Sequence, residues 1–313
     1  MNPLSSPPRR AAVIAVGSNS TRMMTANLDR GLSRPLRLRE ETRLFLALDK
    51  GNALSRAAAG KLLDTIEHQK RSAVEAGAQA VYLTATSAVR DAAQSAQLRQ
   101  MIREHTGLDM RIISGQQEAA WSFLGAALPF WGGEGLGVID IGGGSTEIAL
   151  GSRDSLRTAF SLQLGASRLF AQCPIDDPSG ISPALALAGR VMDAAEAKLN
   201  QQAGRWLLVG GTGAALAGLL NERLMPASQA SDEPFDRGQA EATLQKLAGL
   251  SPRQRARLPG MTPGREHILP TGLAILCALM ARLDIARMAV TARNNCDGFL
   301  YALARSNGFP GEE

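Results

Sequence analysis

Two patterns of apolar and polar positions recur along the chain: short apolar runs that end on small residues, and longer amphipathic stretches that follow them. Residues 11–16, AAVIAV, have the length and composition of a buried strand, GSNS of a tight turn, and residues 21–28 of a returning strand. After an Arg-rich stretch, Ser55 is placed to cap a helix running to Gly77, with Leu62, Leu63, Ile66 and Val74 on one face. AVYLTA is then a strand that delivers the chain into TSAVRDA, a loop that opens a helix. Residues 109–113 make a short strand, SGQQEAAWSFLGAAL turns into a helix, and PFWGGEG has the composition of a linker. A domain boundary is therefore expected near residues 127–135.

The second half repeats this order. A strand reaches Ile141, a glycine turn follows, a strand returns, and RTAFSLQLGASRLF reads as strand into helix. Ser182 and Pro183 mark a helix start, RWLLVGG enters another glycine-rich turn, helices run to Leu283, and ARMAVTA is a last strand. Alternating strands and helices predict an α/β fold. Val13, Ile14, Val16, Gly17, Ser20 and Thr21 recur as Val138, Ile139, Ile141, Gly142, Ser145 and Thr146 at one constant spacing, too long for a solenoid repeat and suited to a duplicated domain. Two similar halves facing each other would bring both turns into one cleft.

Composition narrows the picture. With 313 residues, 45% hydrophobic and 20% charged, the chain is long enough for two folded domains. The net charge of +5 is carried mostly by Arg, whose planar fork suits phosphate oxygens, although charge alone fits a solvated basic surface as well. Only 4% of residues are aromatic, which argues against the stacking platforms of single-strand binders, so no specific nucleic acid is expected. Cys173, Cys277 and Cys296, and His68, His105 and His267, are scattered too widely for a disulfide framework or a zinc site. The opening MNPLSSPPRR does not read as a secretory signal, and no apolar stretch approaches the ~20 residues of a membrane span. The expectation is a cytoplasmic protein with no membrane partner.

The candidate chemistry lies in the turns. Successive backbone N–H groups of a tight Gly/Ser turn converge on an anion, and the hydroxyls of Ser18, Ser20, Ser145 and Thr146 add donors. A single copy would read as an ordinary hairpin turn, but two copies favour phosphate. In GVIDIGGGSTEIALG, Asp140 ends an apolar strand, where a carboxylate is costly unless paired, hydrogen-bonded or bound to metal. Magnesium takes a few carboxylates plus phosphate oxygens and waters, so Asp140 and Glu147 are candidate ligands, direct or through water. There is no P-loop and no nucleophile elbow. GGTGAAL at 210–216 starts like a dinucleotide fingerprint, but Leu216 stands where its third glycine belongs.

At these residues the chain resembles the Ppx/GppA family of exopolyphosphatases and guanosine pentaphosphate phosphohydrolases. GSNSTR is similar to the family's first phosphate loop, ATSAVRDA to its A-T-S-x-x-R-x-A segment, ISGQQEAAWSFLGA to its I-S-G-x-E-E helix start, and DIGGGSTEI to its second phosphate loop. SLQLGASRL, VGGTGAALAGL and LPGMTPGR follow in the family's order. The resemblance implies a duplicated actin-like ATPase (ribonuclease H-like) α/β fold with an inter-domain cleft, in the short two-domain form. Its domains would be 1–127 and 128–313, with the packing of a last helix, about 297–306, back onto the first domain left open.

It further implies that Glu118 is the catalytic base for water, that Arg90 holds the terminal phosphate, and that Gly17, Ser18, Asn19, Ser20 and Arg22 with Gly142, Gly143, Gly144 and Ser145 bind phosphate. Asp140 and Glu147 would hold Mg2+ or Mn2+. Without the resemblance, Glu118 reads as an early-turn carboxylate favoured by the helix dipole, and either Arg as a surface ion-pair partner.

Several positions depart from the family pattern. Ala15 stands where the family has Asp, Gln117 replaces the first Glu of a pair, His267 replaces an Asp, and Asn294, Asn295 and Cys296 replace Gly, Leu and Arg. Losing a carboxylate at Ala15 weakens the expected metal site. The leading reading is an exopolyphosphatase; its alternatives are guanosine pentaphosphate hydrolysis, a catalytically weakened polyphosphate or alarmone binder, and a kinase of sugar or acetate on the same fold. A homodimer is left open.

Overall fold

The computed structural model describes residues 8–29, 32–129, 135–152, 155–200, 202–225, 234–306 and 309–310. The chain divides into two compact units, the first Met1–Leu128 with Asn295–Glu313 and the second Pro129–Asn294. The linker expected at PFWGGEG falls almost wholly on residues 130–134, outside the described residues.

Unit 1 opens with β1 (Arg10–Val16), β2 (Thr21–Asn27) and β3 (Leu36–Glu40), continues through α1 (Arg56–Glu75), β4 (Ala80–Ala85), α2 (Ser87–Arg90), α3 (Ser95–Thr106), β5 (Met110–Ile112) and α4 (Gly115–Ala127). Its sheet has the order β3-β2-β1-β4-β5, with β1 antiparallel to β2 and parallel to β4. From Ala11 to Val16 β1 is apolar because helices cover both of its faces. Ala12, Ile14 and Val16 pack with Leu62 and Ile66 of α1 and Leu98 and Ile102 of α3, while Ala11, Val13 and Ala15 share a cluster with Trp121 of α4 and with Phe299 and Leu300.

Unit 2 contains β6 (Leu136–Ile141), β7 (Thr146–Ser152), β8 (Ser155–Leu162), α5 (Ala166–Gln172), α6 (Ile181–Asp193), α7 (Glu196–Leu199), β9 (Arg205–Val209) and α8 (Gly210–Leu220). It continues with β10 (Phe235–Asp236), α9 (Arg237–Ala248), α10 (Pro252–Arg255), α11 (Leu269–Arg282) and β11 (Arg287–Val290). Its sheet runs β10-β11-β9-β6-β7-β8. Read from β8, the order β8-β7-β6-β9-β11 repeats β3-β2-β1-β4-β5 strand for strand, including the antiparallel hairpins and the parallel β6–β9 and β9–β11 pairings. This repeated order is that of a duplicated α/β domain. A final helix, α12 (Asn295–Leu303), belongs to unit 1 and packs on α4 with the Trp121 and Phe299 rings 5.0 Å apart.

Three local expectations change. The Arg-rich stretch contains β3, whose sequence LRLRE alternates with the period of a strand. Val74 is 56% exposed, and α1 instead buries Leu62, Ile66, Gln69 and Ala73. The helix expected from Ser182 begins at Ile181, after a single 3-10 turn, Pro178–Gly180, capped by the Asp177 side chain.

Candidate functional site

The two glycine-serine turns are built alike. Gly17 N–H donates to Ser20 O at 3.2 Å, and Gly142 N–H to Ser145 O at 3.0 Å. In unit 2 the turn carbonyls face the start of α5: Gly142 O accepts from Ala166 N–H, Gly143 O from Ser167 and Arg168 N–H, and Gly144 O from Arg168 Nε. A trans peptide points its N–H opposite to its C=O, so the N–H groups of Gly143, Gly144 and Ser145 are turned away from α5. None of the three donates a hydrogen bond among the described residues. Three consecutive outward amides form an anion nest.

Unit 1 repeats the device with different partners. Ser18 O accepts from Phe45 N–H and Asn19 O from Arg43 N–H, which turns the amides of Asn19 and Ser20 outward. Ser18, Asn19 and Ser20 are all buried. Arg22 follows on β2, half-buried, and its side chain makes no hydrogen bond or ion pair among the described residues.

Asp140 and Glu147 are direct partners in the β6–β7 ladder, so their side chains leave the same face of the sheet. Both are buried, at 7% and 2% exposure, and Ser161 Oγ donates to Glu147 Oε1 at 2.7 Å. The chain makes room for Asp140 at the neighbouring strand end. Gly210, with φ +88°, opens α8, and a Cβ there would lie 2.5 Å from Asp140 Oδ1. The carboxylate thus sits against a helix N-terminus, whose partial positive charge favours it.

Among the described residues no group of three or more His, Cys, Asp and Glu side chains is placed to hold a metal. Two buried carboxylates on one face suit a hard cation that completes its shell with water and phosphate oxygens, which is the habit of magnesium. The residues present therefore fit the implied ion.

Arg90 and Glu118 come together in unit 1. β1, β4 and β5 run parallel, and the first turn, α2 and α4 each follow the carboxyl end of one of them. Arg90 Nη1 donates to Ile113 O at 2.7 Å and lies 3.9 Å from Glu118 Oε2. Arg90 Nη2 is buried with no hydrogen-bond partner among the described residues. A guanidinium pinned at one nitrogen and unsatisfied at the other is a donor held ready for an anion.

Gln117 has a structural task. It is the third residue of α4 in a capping box: Ser114 Oγ accepts from Gln117 N–H, and Gln117 Oε1 accepts from Ser114 N–H. Glu and Gln serve equally at that position, which accounts for the exchange. His267 is 42% exposed beside Glu266, Asn294 donates to Ala292 O, Asn295 begins α12 and Cys296 is buried.

Sequence reasoning passed over Arg39, Glu41 and Arg265. Arg39 lies opposite Arg22 in the β2–β3 ladder, Glu41 accepts from Asn19 Nδ2 at 2.6 Å, and Arg265, 4% exposed, lays its guanidinium over Gly211. The LRLRE alternation offered a signal for the first of these. GGTG, which began like a nucleotide fingerprint, is here the glycine pair that lets Asp140 and Arg265 approach α8.

Known proteins share this architecture. A family model described as the Ppx/GppA phosphatase family matches residues 27–307. Exopolyphosphatase 1 of Mycobacterium tuberculosis is 35% identical over 176 residues, which cover 55% of this chain and 51% of that protein, so the match spans about half the length of the curated relative. A crystal structure of an exopolyphosphatase-like protein superposes with a TM-score of 0.87 at 22% identity, over 96% of this chain and 98% of the other. The structure of an exopolyphosphatase from Cytophaga hutchinsonii gives 0.83 at 21% identity, over 96% and 99%. Matched along most of its length, and folded as these structures are, the chain belongs to the Ppx/GppA phosphatase family.

Proposed function

We propose that the chain is an exopolyphosphatase that hydrolyses the terminal phosphoanhydride of inorganic polyphosphate. The observation that carries this reading is the pair of matched turns, each with outward backbone amides, in a chain that also holds an unsatisfied buried guanidinium nitrogen on Arg90. The amides of Gly143, Gly144 and Ser145 in unit 2 bind phosphate oxygens, and so do those of Asn19 and Ser20 in unit 1. Arg90, anchored on Ile113 O, presents Nη2 to the terminal phosphate and offsets the charge that develops there.

Glu118 accepts a proton from a water as that water attacks the terminal phosphorus. The P–O bond to the penultimate phosphate breaks, releasing orthophosphate and a chain one unit shorter. Asp140 and Glu147 would hold Mg2+ or Mn2+, which would supply charge neutralisation during the transfer.

The test is phosphate release from long-chain polyphosphate with added Mg2+ or Mn2+, comparing the parent with Glu118→Gln. The variant is expected to lose at least about 100-fold in rate; equal rates would remove Glu118 from the chemistry. Guanosine pentaphosphate assayed side by side separates the two substrates.

Ala15 supports a second reading, a polyphosphate or alarmone binder without turnover. It predicts thermal stabilisation by polyphosphate without phosphate release, and a gain of activity in Ala15→Asp.

A further inference from the structure

The two hairpins carry opposite charge at corresponding places. In unit 2, one ladder row reads Asp140, Glu147, Ser161; in unit 1 the corresponding row reads Ala15, Arg22, Arg39. The carboxylate pair of one repeat is an alanine and a guanidinium in the other, with a second guanidinium directly beside it.

Like charges facing each other across strands are destabilising. The Arg39 pKa is lowered, by burial first and by the Arg22 charge second. Arg39 Nε donates to Ser20 Oγ of the turn at 3.4 Å, so the pair borders the outward amides of Asn19 and Ser20. A half-buried Arg22 without a partner, a like charge next to it and a backbone nest together describe a place for an anion.

A carboxylate already answers part of that demand. Glu41 forms an ion pair with Arg39 through one oxygen and accepts from Asn19 Nδ2 through the other. Lys61 Nζ donates to Glu41 O and ties down its backbone. Glu41 therefore occupies two donors at the first turn.

We propose that Arg39 is, with Arg22, the second guanidinium of a phosphate subsite that needs no metal, and that Glu41 competes with the phosphate chain for it. This rests on the exopolyphosphatase reading for the identity of the ligand and names a specificity-determining residue for it. A phosphate has more charge and more acceptor oxygens than one carboxylate, so it displaces Glu41 from Arg39 when it binds. Metal serves the carboxylate row of unit 2, and the cation pair serves unit 1.

Titration calorimetry with tripolyphosphate in excess EDTA tests this on the full chain, with thermal melts of each variant to establish folding. The parent is expected to bind without metal, Arg39→Gln to bind about 10-fold more weakly, and Glu41→Gln about 3- to 10-fold more tightly. In the double variant the gain from Glu41→Gln should disappear, because the two residues act on each other. No binding by the folded parent in EDTA, or single variants that bind like the parent, would overturn the proposal. If these affinities hold while polyphosphate is not hydrolysed, the subsite stands and the hydrolase reading falls.

Discussion

Gly210 and Asp140 fit together with no space for a side chain between them. A Cβ on Gly210 would lie 2.5 Å from Asp140 Oδ1, and the backbone there has φ +88°, a region that L side chains rarely adopt. Gly210→Ala is expected to cost about 1–3 kcal/mol in stability from backbone strain. With Asp140 in its proposed role as metal ligand, it should also weaken Mn2+ binding about 10- to 100-fold by displacing the carboxylate. Electron paramagnetic resonance titration of free Mn2+ together with a denaturant melt measures both.

Arg90 separates charge from shape. Arg90→Lys keeps the positive charge and loses the fork that grips Ile113 O while presenting Nη2. The expected result is a fall in kcat of about 10-fold or more, with KM changed less, because in the role proposed for Arg90 the lost contact forms with charge that develops during transfer. A fall confined to KM would assign Arg90 to binding alone.

The exchange of Glu for Gln at residue 117 is expected to be silent in reverse. Gln117→Glu preserves the capping box with Ser114, whereas Gln117→Ala removes one of its two hydrogen bonds and should cost about 1 kcal/mol. Equilibrium unfolding in urea distinguishes them.

Arg37 and Asp297 form a bidentate pair, at 2.9 and 2.5 Å, between β3 and α12, and Asp297 is fully buried. Asp297→Ala leaves Arg37 with its charge in a largely dry place, and the expected loss is about 3–5 kcal/mol. The unfolding midpoint of the variant checks this.

Burial within unit 2 pushes the Cys277 thiol up to about 12, with Glu241 adding to the shift. The folded state then keeps a proton that the unfolded chain releases near pH 9, so this stability is present below pH 9 and is lost as pH rises toward 12. Cys277→Ala removes that dependence. The parent should be the more stable at pH 7, and its advantage should shrink by up to about 1.4 kcal/mol per pH unit above 9; urea melts at pH 7 and pH 10 read the difference.

Elements with a strong apolar period were legible in the sequence. β1 announced itself as an apolar run from Ala11 to Val16 and β6 as one interrupted by Asp140, and the recurrence of Val13 and Ile14 as Val138 and Ile139 foretold two sheets of one order. β3 was hidden because composition masked its period: Arg37 and Arg39 drew attention to charge while Leu36 and Leu38 set the alternation. Val74 followed the helical spacing of α1 but lies on its exposed side, since Gln69 and Ala73 define the buried stripe near that end.

In the site, Asp140 stood out because a carboxylate in an apolar strand demands a reason. Glu118 did not, since a Glu early in a helix has an ordinary explanation in the helix dipole. Arg39 and Arg265 are placed by pairing and packing with residues distant along the chain, and no local pattern encodes such neighbours.

The return of α12 to α4 orders events on the ribosome. Unit 2 is a single uninterrupted stretch of chain, so it is free to mature as soon as Asn294 leaves the exit tunnel. Unit 1 starts earlier and finishes later: the Trp121 face waits bare until Phe299 is translated. A released chain that ends at Asn294 should therefore carry a finished second half and a sticky first half, the half a chaperone would hold.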